Sequence, residues 1–333
     1  MYTRAVASVF LESSQQLRDN FPKGKGTMKN TALLIVNPNS SKGKGRIKAK
    51  EIISYFKEKD FCFEECHTTC SGHAESLAYE GAKKGYGTIV AVGGDGTVNE
   101  VLNGIMKSGC GDKVKMGIVP TGRGNDFAWC AAIPTDTKKA AEIVMSGEAR
   151  PTDVGICVGT DNEEGRYFFN GTGFGFEPMV NFKASGYKNL NGMPSYIAAF
   201  ISILFNPPKG YKLRMTVDGE ERVISTQQVS VANGIRMGSA FKLAPQAEID
   251  DGKLDLMYTN RICLGLSLIG LVVKFLGGKV GKDKKTFTYM NVEKVTIEAD
   301  EKVLPAHSDG EVFTKAGDSF SLEVVPGAIA LLR

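Results

Sequence analysis

The chain has 333 residues, enough for two domains with cores of their own. A formal net charge of +4 does not argue for nucleic acid, though it suits an anionic ligand or membrane surface, and three histidines leave little room for a multi-histidine metal centre. Seven cysteines in a chain with no secretory-signal pattern point to reduced thiols in a cytoplasm.

Residues 1–27 are polar and irregular, ending Phe21-Pro22-Lys23-Gly24-Lys25-Gly26-Thr27, and Met28 stands directly before the first good strand. They read as a tag, an upstream start or a disordered arm, and are excluded from the fold. Residues 31–36 form an apolar strand that stops at Asn37-Pro38-Asn39-Ser40-Ser41-Lys42-Gly43-Lys44-Gly45. A helix carrying Ile47, Ile52, Ile53 and Phe56 follows. Next come a cysteine-bearing strand over 61–69, a helix over 73–84, and the β-branched strand Thr88-Ile89-Val90-Ala91-Val92. That strand runs into Gly93-Gly94-Asp95-Gly96-Thr97-Val98-Asn99-Glu100. Val98, Val101, Leu102, Ile105 and Met106 then recur at helical spacing. A strand at 116–119 stops at Pro120-Thr121-Gly122-Arg123-Gly124-Asn125-Asp126-Phe127, and a helix over 137–146 closes the segment. Strand and helix alternate, which implies a parallel sheet covered on both faces, with ligands beyond the carboxyl ends of its strands.

Cys62, Cys66, Cys70 and His73 have the look of a zinc set. In a strand, however, residues four apart lie about 13 Å from each other, whereas zinc needs sulfurs about 2.3 Å from one ion. Buried or edge thiols are the reading that fits the strand.

After Pro151 the texture changes. Short runs at 167–170, 211–217, 222–231, 253–258, 292–298 and 319–325 are separated by turn signals such as Asp218-Gly219, Asp251-Gly252 and Asp309-Gly310. This is a mostly antiparallel β domain, interrupted by helical stretches near 196–205 and 264–276. The apolar run 262–276 carries Lys274 and glycines and falls short of the ~20 residues a bilayer needs. It reads as a buried or half-exposed amphipathic helix. Its functional reading is a surface that touches lipid, flanked by Lys274, Lys279, Lys282, Lys284 and Lys285.

Three polar, glycine-containing turns therefore stand in order at strand ends. Glycines let backbone N–H groups face a ligand, and a helix N-terminus adds partial positive charge; together they favour a phosphate. Asp95 cannot serve an anion directly, so it is assigned to a metal ion or to a water on one. Thr97 is expected to cap the helix, contact phosphate, or both. A nicotinamide-binding fold would carry G-x-G-x-x-G after the first strand. Here the first turn is Asn-Pro-Asn-Ser-Ser, and there is no G-x-x-x-x-G-K-[ST] loop.

The three turns, together with Asn170-Gly171-Thr172-Gly173-Phe174-Gly175 and Asp309-Gly310-Glu311, resemble the diacylglycerol kinase catalytic domain family, specifically the soluble bacterial lipid kinases. The likeness runs from about Met28 to the C-terminus. It implies the fold shared with NAD kinases and 6-phosphofructokinases: a doubly wound α/β nucleotide-binding domain over 28–150, a mostly antiparallel β-sandwich domain over 151–333, and an active site in the cleft between them. The last strand is free in this reading to return to the first domain.

By the same resemblance, ATP contacts fall on Asn37, Pro38, Asn39, Ser40, Ser41, Thr68, Gly94, Asp95, Gly96, Thr97, Asn99, Glu100, Arg123 and Asn125. The catalytic pair falls on Asp309 and Glu311, and a structural Mg2+ on Asp251 with the carbonyls of Glu248 and Lys253. Many members carry threonine where Arg123 stands; an arginine there suits bidentate phosphate binding. The implied reaction is Mg2+-dependent phosphoryl transfer from ATP to a lipid alcohol, diacylglycerol first. It would proceed by positioning and charge neutralisation, with a carboxylate taking the hydroxyl proton. The implied setting is cytoplasmic, peripheral on the inner face of an anionic membrane, without nucleic acid; the oligomeric state is open, a homodimer being one outcome. Other lipid alcohols (sphingoid bases, monoacylglycerol, phosphatidylglycerol), an NAD kinase, a non-catalytic nucleotide-binding regulator and a lipid carrier stand as alternatives.

Overall fold

A computed structural model describes residues 30–187, 193–205, 210–238, 241–300 and 303–333. The reading of residues 1–27 lies outside the described residues. Two compact units emerge. Unit 1 holds the described residues through Arg123, with Ile133–Arg150 and Ala330–Arg333; unit 2 holds Gly124–Ala132 and Pro151–Ile329.

In unit 1, strands β1 (Ala32–Val36), β2 (Phe63–His67), β3 (Thr88–Gly93) and β4 (Lys115–Pro120) form a parallel sheet in the order β2-β1-β3-β4. β1 is buried along its whole length, as a central strand covered on both faces must be. Helices α1 (Lys44–Glu58), α2 (His73–Lys83) and α3 (Asp95–Lys107) follow β1, β2 and β3 in turn. On α1, Ala49, Ile52 and Phe56 are the buried stripe. Ile47 lies outside it and is 64% exposed. Five residues separate Ile47 from Ile52, which at 100° per residue turns the side chain away from that face. α2 and α3 cross closely at Gly104, where a Cβ would stand 2.2 Å from the Glu75 carbonyl oxygen. The short helix α4 (Asp126–Cys130) belongs to unit 2, and α5 (Thr137–Ser146), capped by the Asp136 carboxylate, returns the chain to unit 1.

Unit 2 is built from antiparallel pairs. One sheet runs β12-β11-β10-β7-β14-β15, from β7 (Gly171–Gly175), β10 (Gln228–Ala232), β11 (Leu254–Thr259), β12 (Phe287–Val292), β14 (Leu304–Ser308) and β15 (Glu311–Gly317). Opposite it, β8 (Tyr211–Val217) pairs with β9 (Glu220–Thr226) and with β13 (Lys294–Ala299), and β13 pairs with the first half of β16 (Ser319–Leu332). β5 (Ala149–Gly159) and β6 (Asn162–Phe168) form a further hairpin. Alternate residues of both sheets, among them Phe174, Val229, Val231, Leu254, Leu256, Met215, Ile297 and Leu322, interdigitate as the sandwich core. The last residues of β16 leave this unit: Ala330 and Leu331 pair in parallel with Lys115 and Met116 of unit 1.

The run 222–231, which the sequence presents as one strand, is two. β9 ends at Thr226 in one sheet and β10 begins at Gln228 in the other, and the Thr226 hydroxyl bonds to Thr259 at the crossing. β-formers on both sides hide the break from any period-two pattern. The opposite face of the six-stranded sheet is covered by α6 (Phe176–Ser185), α7 (Met193–Leu204) and α8 (Leu266–Leu276). Phe176, Ala199, Ile203, Leu268, Leu271 and Phe275 pack there with Met257 and Phe287 of the strands.

Candidate functional site

The structure draws the turn residues of unit 1 into one assembly. The Asn37 N–H donates to the Val92 carbonyl (2.9 Å), and Nδ2 of Asn37 donates to the Thr97 hydroxyl (2.9 Å). Asn37 Oδ1 accepts from the N–H of Asn39 (3.0 Å), fixing the Asn-Pro-Asn turn. Ser40 shares a 2.8 Å hydrogen bond with the Thr121 hydroxyl, and the Ser41 hydroxyl donates to the Thr121 carbonyl (2.8 Å). Thr121 N–H in turn reaches the Gly93 carbonyl (2.8 Å). Glycine is required where the second and third turns meet, because a Cβ on Gly94 would stand 3.0 Å from the Gly122 Cα. These hydroxyls and amides stand at the carboxyl ends of β1, β3 and β4, where α3 begins. Such a place favours an anion.

Within this assembly individual residues also make structural contacts. Thr97 does not cap α3: Gly94 is the N-cap, without a side-chain bond, and the Thr97 hydroxyl is held by Asn37. The Glu100 carboxylate accepts the N–H groups of Gly72 (2.8 Å) and Ala74 (3.1 Å), so it caps the neighbouring helix α2. Asn99 is 1% exposed, inside α3 packing. Asp95 opens α3, half-buried, and Arg123 is exposed. The Thr68 N–H bonds to the Val36 carbonyl (2.9 Å), placing that residue beside the first turn. Asn125 takes the left-handed conformation (φ 51°) and starts α4. In the same segment Asp126 lies 3.1 Å from Nε of Arg236, whose guanidinium stacks on Trp129, and Phe127 stacks on Phe169.

In β2, Cys66 is buried and its thiol is pushed up to about 11, chiefly by burial, while Cys62 and Cys70, on either side of the strand, are exposed. His73 opens α2 with Nδ1 accepting the N–H of Thr69 (3.1 Å), and burial holds its pKa below the ordinary value.

In unit 2, Asp309 occupies a tight turn in the left-handed conformation (φ 48°). Its carboxylate accepts three backbone N–H groups, those of Phe169 (2.9 Å), Asn170 (2.8 Å) and Gly171 (3.0 Å). Asp309 thereby holds the Asn170-Gly171 segment, a task its sequence context does not announce. Glu311 begins β15 and is exposed. At the other candidate, Oδ1 of Asp251 accepts the Lys253 N–H (3.0 Å), and Glu248, Asp251 and Lys253 are all exposed. Buried Asp153 fastens this turn, accepting the N–H groups of Gly252 (2.7 Å) and Gly327 (2.7 Å). Asp255, 1% exposed, has its pKa pushed up to about 6 by burial and then by the charges of Asp251 and Glu248.

What the sequence reading missed lies between the six-stranded sheet and its helices. A pocket of about 130 Å3 is walled by Phe176, Val180, Phe200, Phe241, Val272 and Phe275, and ends on Glu177, Gln228, His307 and Gly310. Oε1 of Glu177 lies 3.1 Å from Nε2 of His307, and Oε2 accepts from Gln228 Nε2 and the Ser230 hydroxyl (3.3 Å each). The signal was present in Gln228-Val229-Ser230-Val231, where polar and apolar residues alternate and so face opposite sides of the strand.

A parallel α/β unit that ends in laced glycine turns, together with a second unit that is a β-sandwich bearing an apolar pocket, defines the two-domain class of NAD kinase-like and diacylglycerol kinase-like enzymes. Residues 31–157 match the diacylglycerol kinase catalytic domain, and residues 171–333 match the YegS C-terminal NAD kinase beta sandwich-like domain. A diacylglycerol kinase of Bacillus subtilis is 30% identical over 284 residues, 84% of this chain and 89% of that protein. One from Staphylococcus carnosus is 26% identical over 287 residues, covering 85% and 89%. A crystal structure of a diacylglycerol kinase from Bacillus anthracis superposes with a TM-score of 0.69 at 21% identity, covering 91% of this chain and 96% of that one, and so supports the fold. The chain belongs to the diacylglycerol kinase family and is a lipid kinase.

Proposed function

We propose that this kinase transfers the γ-phosphoryl group of ATP to the hydroxyl of a lipid alcohol, with diacylglycerol as the leading substrate and phosphatidic acid as the product. The observation that carries the reading is the apolar pocket of unit 2 with its single polar end. Such a shape takes an acyl chain along its walls and leaves a hydroxyl at Glu177, His307 and Gly310.

In this reading ATP lies on the turns of unit 1. Backbone N–H groups around Gly94 to Thr97, the hydroxyls of Ser40 and Ser41, and the exposed Arg123 guanidinium meet its phosphates. Asp309 and Glu311 are the carboxylates of the reaction, and Asp309 also sets the Asn170 segment through its three N–H contacts. Mg2+ would neutralise phosphate charge, with Asp95 the carboxylate at the turns. A second, structural Mg2+ would be held by the exposed Asp251 with the carbonyls of Glu248 and Lys253.

Membrane contact belongs to the same proposal. Ile197 and Ile201 along α7, Phe205 just after it, and Leu266, Ile269, Val273 and Leu276 along α8, are exposed. Ile197 and Leu276 also line the pocket. Lys279, Lys282, Lys284 and Lys285 are exposed just beyond α8, suiting an anionic inner leaflet. Among the described residues no helix is long and apolar enough to cross a membrane.

The test is ADP release with Mg2+-ATP in mixed micelles of diacylglycerol, monoacylglycerol, sphingosine, ceramide or phosphatidylglycerol, with NAD as control. Turnover on diacylglycerol supports the proposal; turnover on another alcohol moves the substrate. Silence on every lipid with ATP bound sinks the catalytic reading, and activity on NAD overturns the lipid one.

A further inference from the structure

Three strands meet in register at Gly173: Ser230 of β10 pairs with it on one side and His307 of β14 on the other. All three positions face the helices, because their neighbours Phe174, Val229, Val231 and Ala306 point into the sandwich core. Glu177, in the first turn of α6, sits over the gap left by the missing side chain. A Cβ on Gly173 would stand 2.5 Å from Oε2 of Glu177 and 2.7 Å from Nε2 of His307. The strand is therefore bare there for the sake of this pair.

The hydrogen bonds orient both partners. Nδ1 of His307 accepts the N–H of Gly310 (3.2 Å), and its Nε2, otherwise without a hydrogen-bond partner among the described residues, lies 3.1 Å from Oε1 of Glu177. Gln228 and Ser230 donate to the other oxygen. His307 is 2% exposed, while the Glu177 side chain keeps 17% exposure and lines the pocket. Polar groups buried under apolar helices cost free energy. Apolar residues would have sealed this contact between sheet and helix, yet a carboxylate is placed at the end of an otherwise apolar pocket.

We infer that Glu177 is the residue that meets the reacting headgroup and selects it by charge; this rests on the lipid-kinase reading above. Its carboxylate accepts a hydrogen bond from the uncharged hydroxyl of the incoming alcohol. Once that hydroxyl carries a phosphate, with a charge of about −1.5 to −2, the same carboxylate repels it, and the product leaves. His307 is a positioning residue: it stands against Glu177 on one side and accepts the Gly310 amide, next to Asp309 and Glu311, on the other. The pocket thus favours neutral lipid alcohols over lipid phosphates.

The experiment is calorimetric binding of detergent-dispersed dioctanoylglycerol and dioctanoyl phosphatidic acid to the full chain, comparing wild type with Glu177→Gln and Glu177→Asp. Binding is read without turnover, so silence in the ADP assay would sink the proposed reaction and leave this measurement standing. Wild type should bind the alcohol more tightly than the phosphate. Glu177→Gln should tighten phosphate binding about tenfold or more, as loss of a like charge at short range implies, and show stronger product inhibition in steady state. Glu177→Asp, which keeps the charge, should retain the wild-type order. His307→Gln, which retains a donor, should raise the KM for lipid while the KM for ATP stays constant. Wild-type protein that prefers the phosphate would overturn the inference whether or not the variants fold. A folded Glu177→Gln protein with unchanged affinities would do the same.

Discussion

The Asn170 N–H donates to Oδ1 of Asp309 across a 2.8 Å hydrogen bond, and the Phe169 N–H does the same to Oδ2 at 2.9 Å. Replacing that carboxylate by an amide puts an NH2 against an N–H on one side. We expect Asp309→Asn to lose turnover while ATP affinity stays near wild type, and also to lose about 1–3 kcal/mol of stability from the opposed donors. Thermal melting with nucleotide titration checks both. An unchanged melting point would mean that the three N–H bonds matter little to folding, and equal losses of ATP binding and rate would remove the reaction role.

Val272 lines the apolar pocket from α8. Val272→Trp fills that space, so we expect the lipid KM to rise by about tenfold or more with the ATP KM constant, the signature of lost substrate binding. A short-chain substrate should suffer less than a long one. Equal KM values for wild type and variant would place the acyl chain elsewhere.

Gly94 has an ordinary φ of −99°, so its cost on substitution is steric. Gly94→Ala pushes against the backbone of Gly122 and separates the second turn from the third. ATP affinity should fall about tenfold, read by calorimetry, with a drop in melting temperature. Gly270→Ala is the control: nothing lies within 4 Å of its Cβ in α8, and it should stabilise by about 0.5–1 kcal/mol.

Burial keeps the folded-state pKa of His73 below that of the unfolded chain. Between the two values the unfolded state binds more protons, so stability is full above about pH 6.5 and is lost as pH falls. Protonation also removes the Nδ1 acceptor from the Thr69 N–H. Denaturant midpoints between pH 5 and 8 should slope upward with pH, and His73→Gln should flatten that slope; an equal slope in both proteins would assign it to other groups.

Asp251→Ala should lower the melting temperature in Mg2+ and weaken its dependence on Mg2+ concentration, if a cation offsets the carboxylates around Asp255. Equal melting of both proteins, with and without EDTA, would remove the structural metal.

Local pattern carried the parallel sheet and most of the helices. β1, β3 and β4 are apolar runs cut off by glycine turns, and α5 and α8 announce themselves by spacing and caps. The three turns were legible as phosphate-favouring for the same reason, since glycine, serine and asparagine after a strand act on backbone they themselves shape. β7, β14 and α6 were not legible: Gly171-Thr172-Gly173-Phe174-Gly175 has the composition of a loop, and only neighbours on both sides make it a central strand.

The amino-acid sequence by itself determined the α/β character of the first half, the sheet-forming character of the second and the three glycine-containing turns, because each depends on residues a few positions apart. Tertiary structure alone decided that Glu100 caps α2, that Asp309 holds Asn170, and that Glu177, 130 positions before His307, closes over Gly173 at the end of an apolar pocket. Those contacts join segments far apart in the chain, and their energies come from desolvation and hydrogen-bond geometry, which exist only once strands are in register and helices packed.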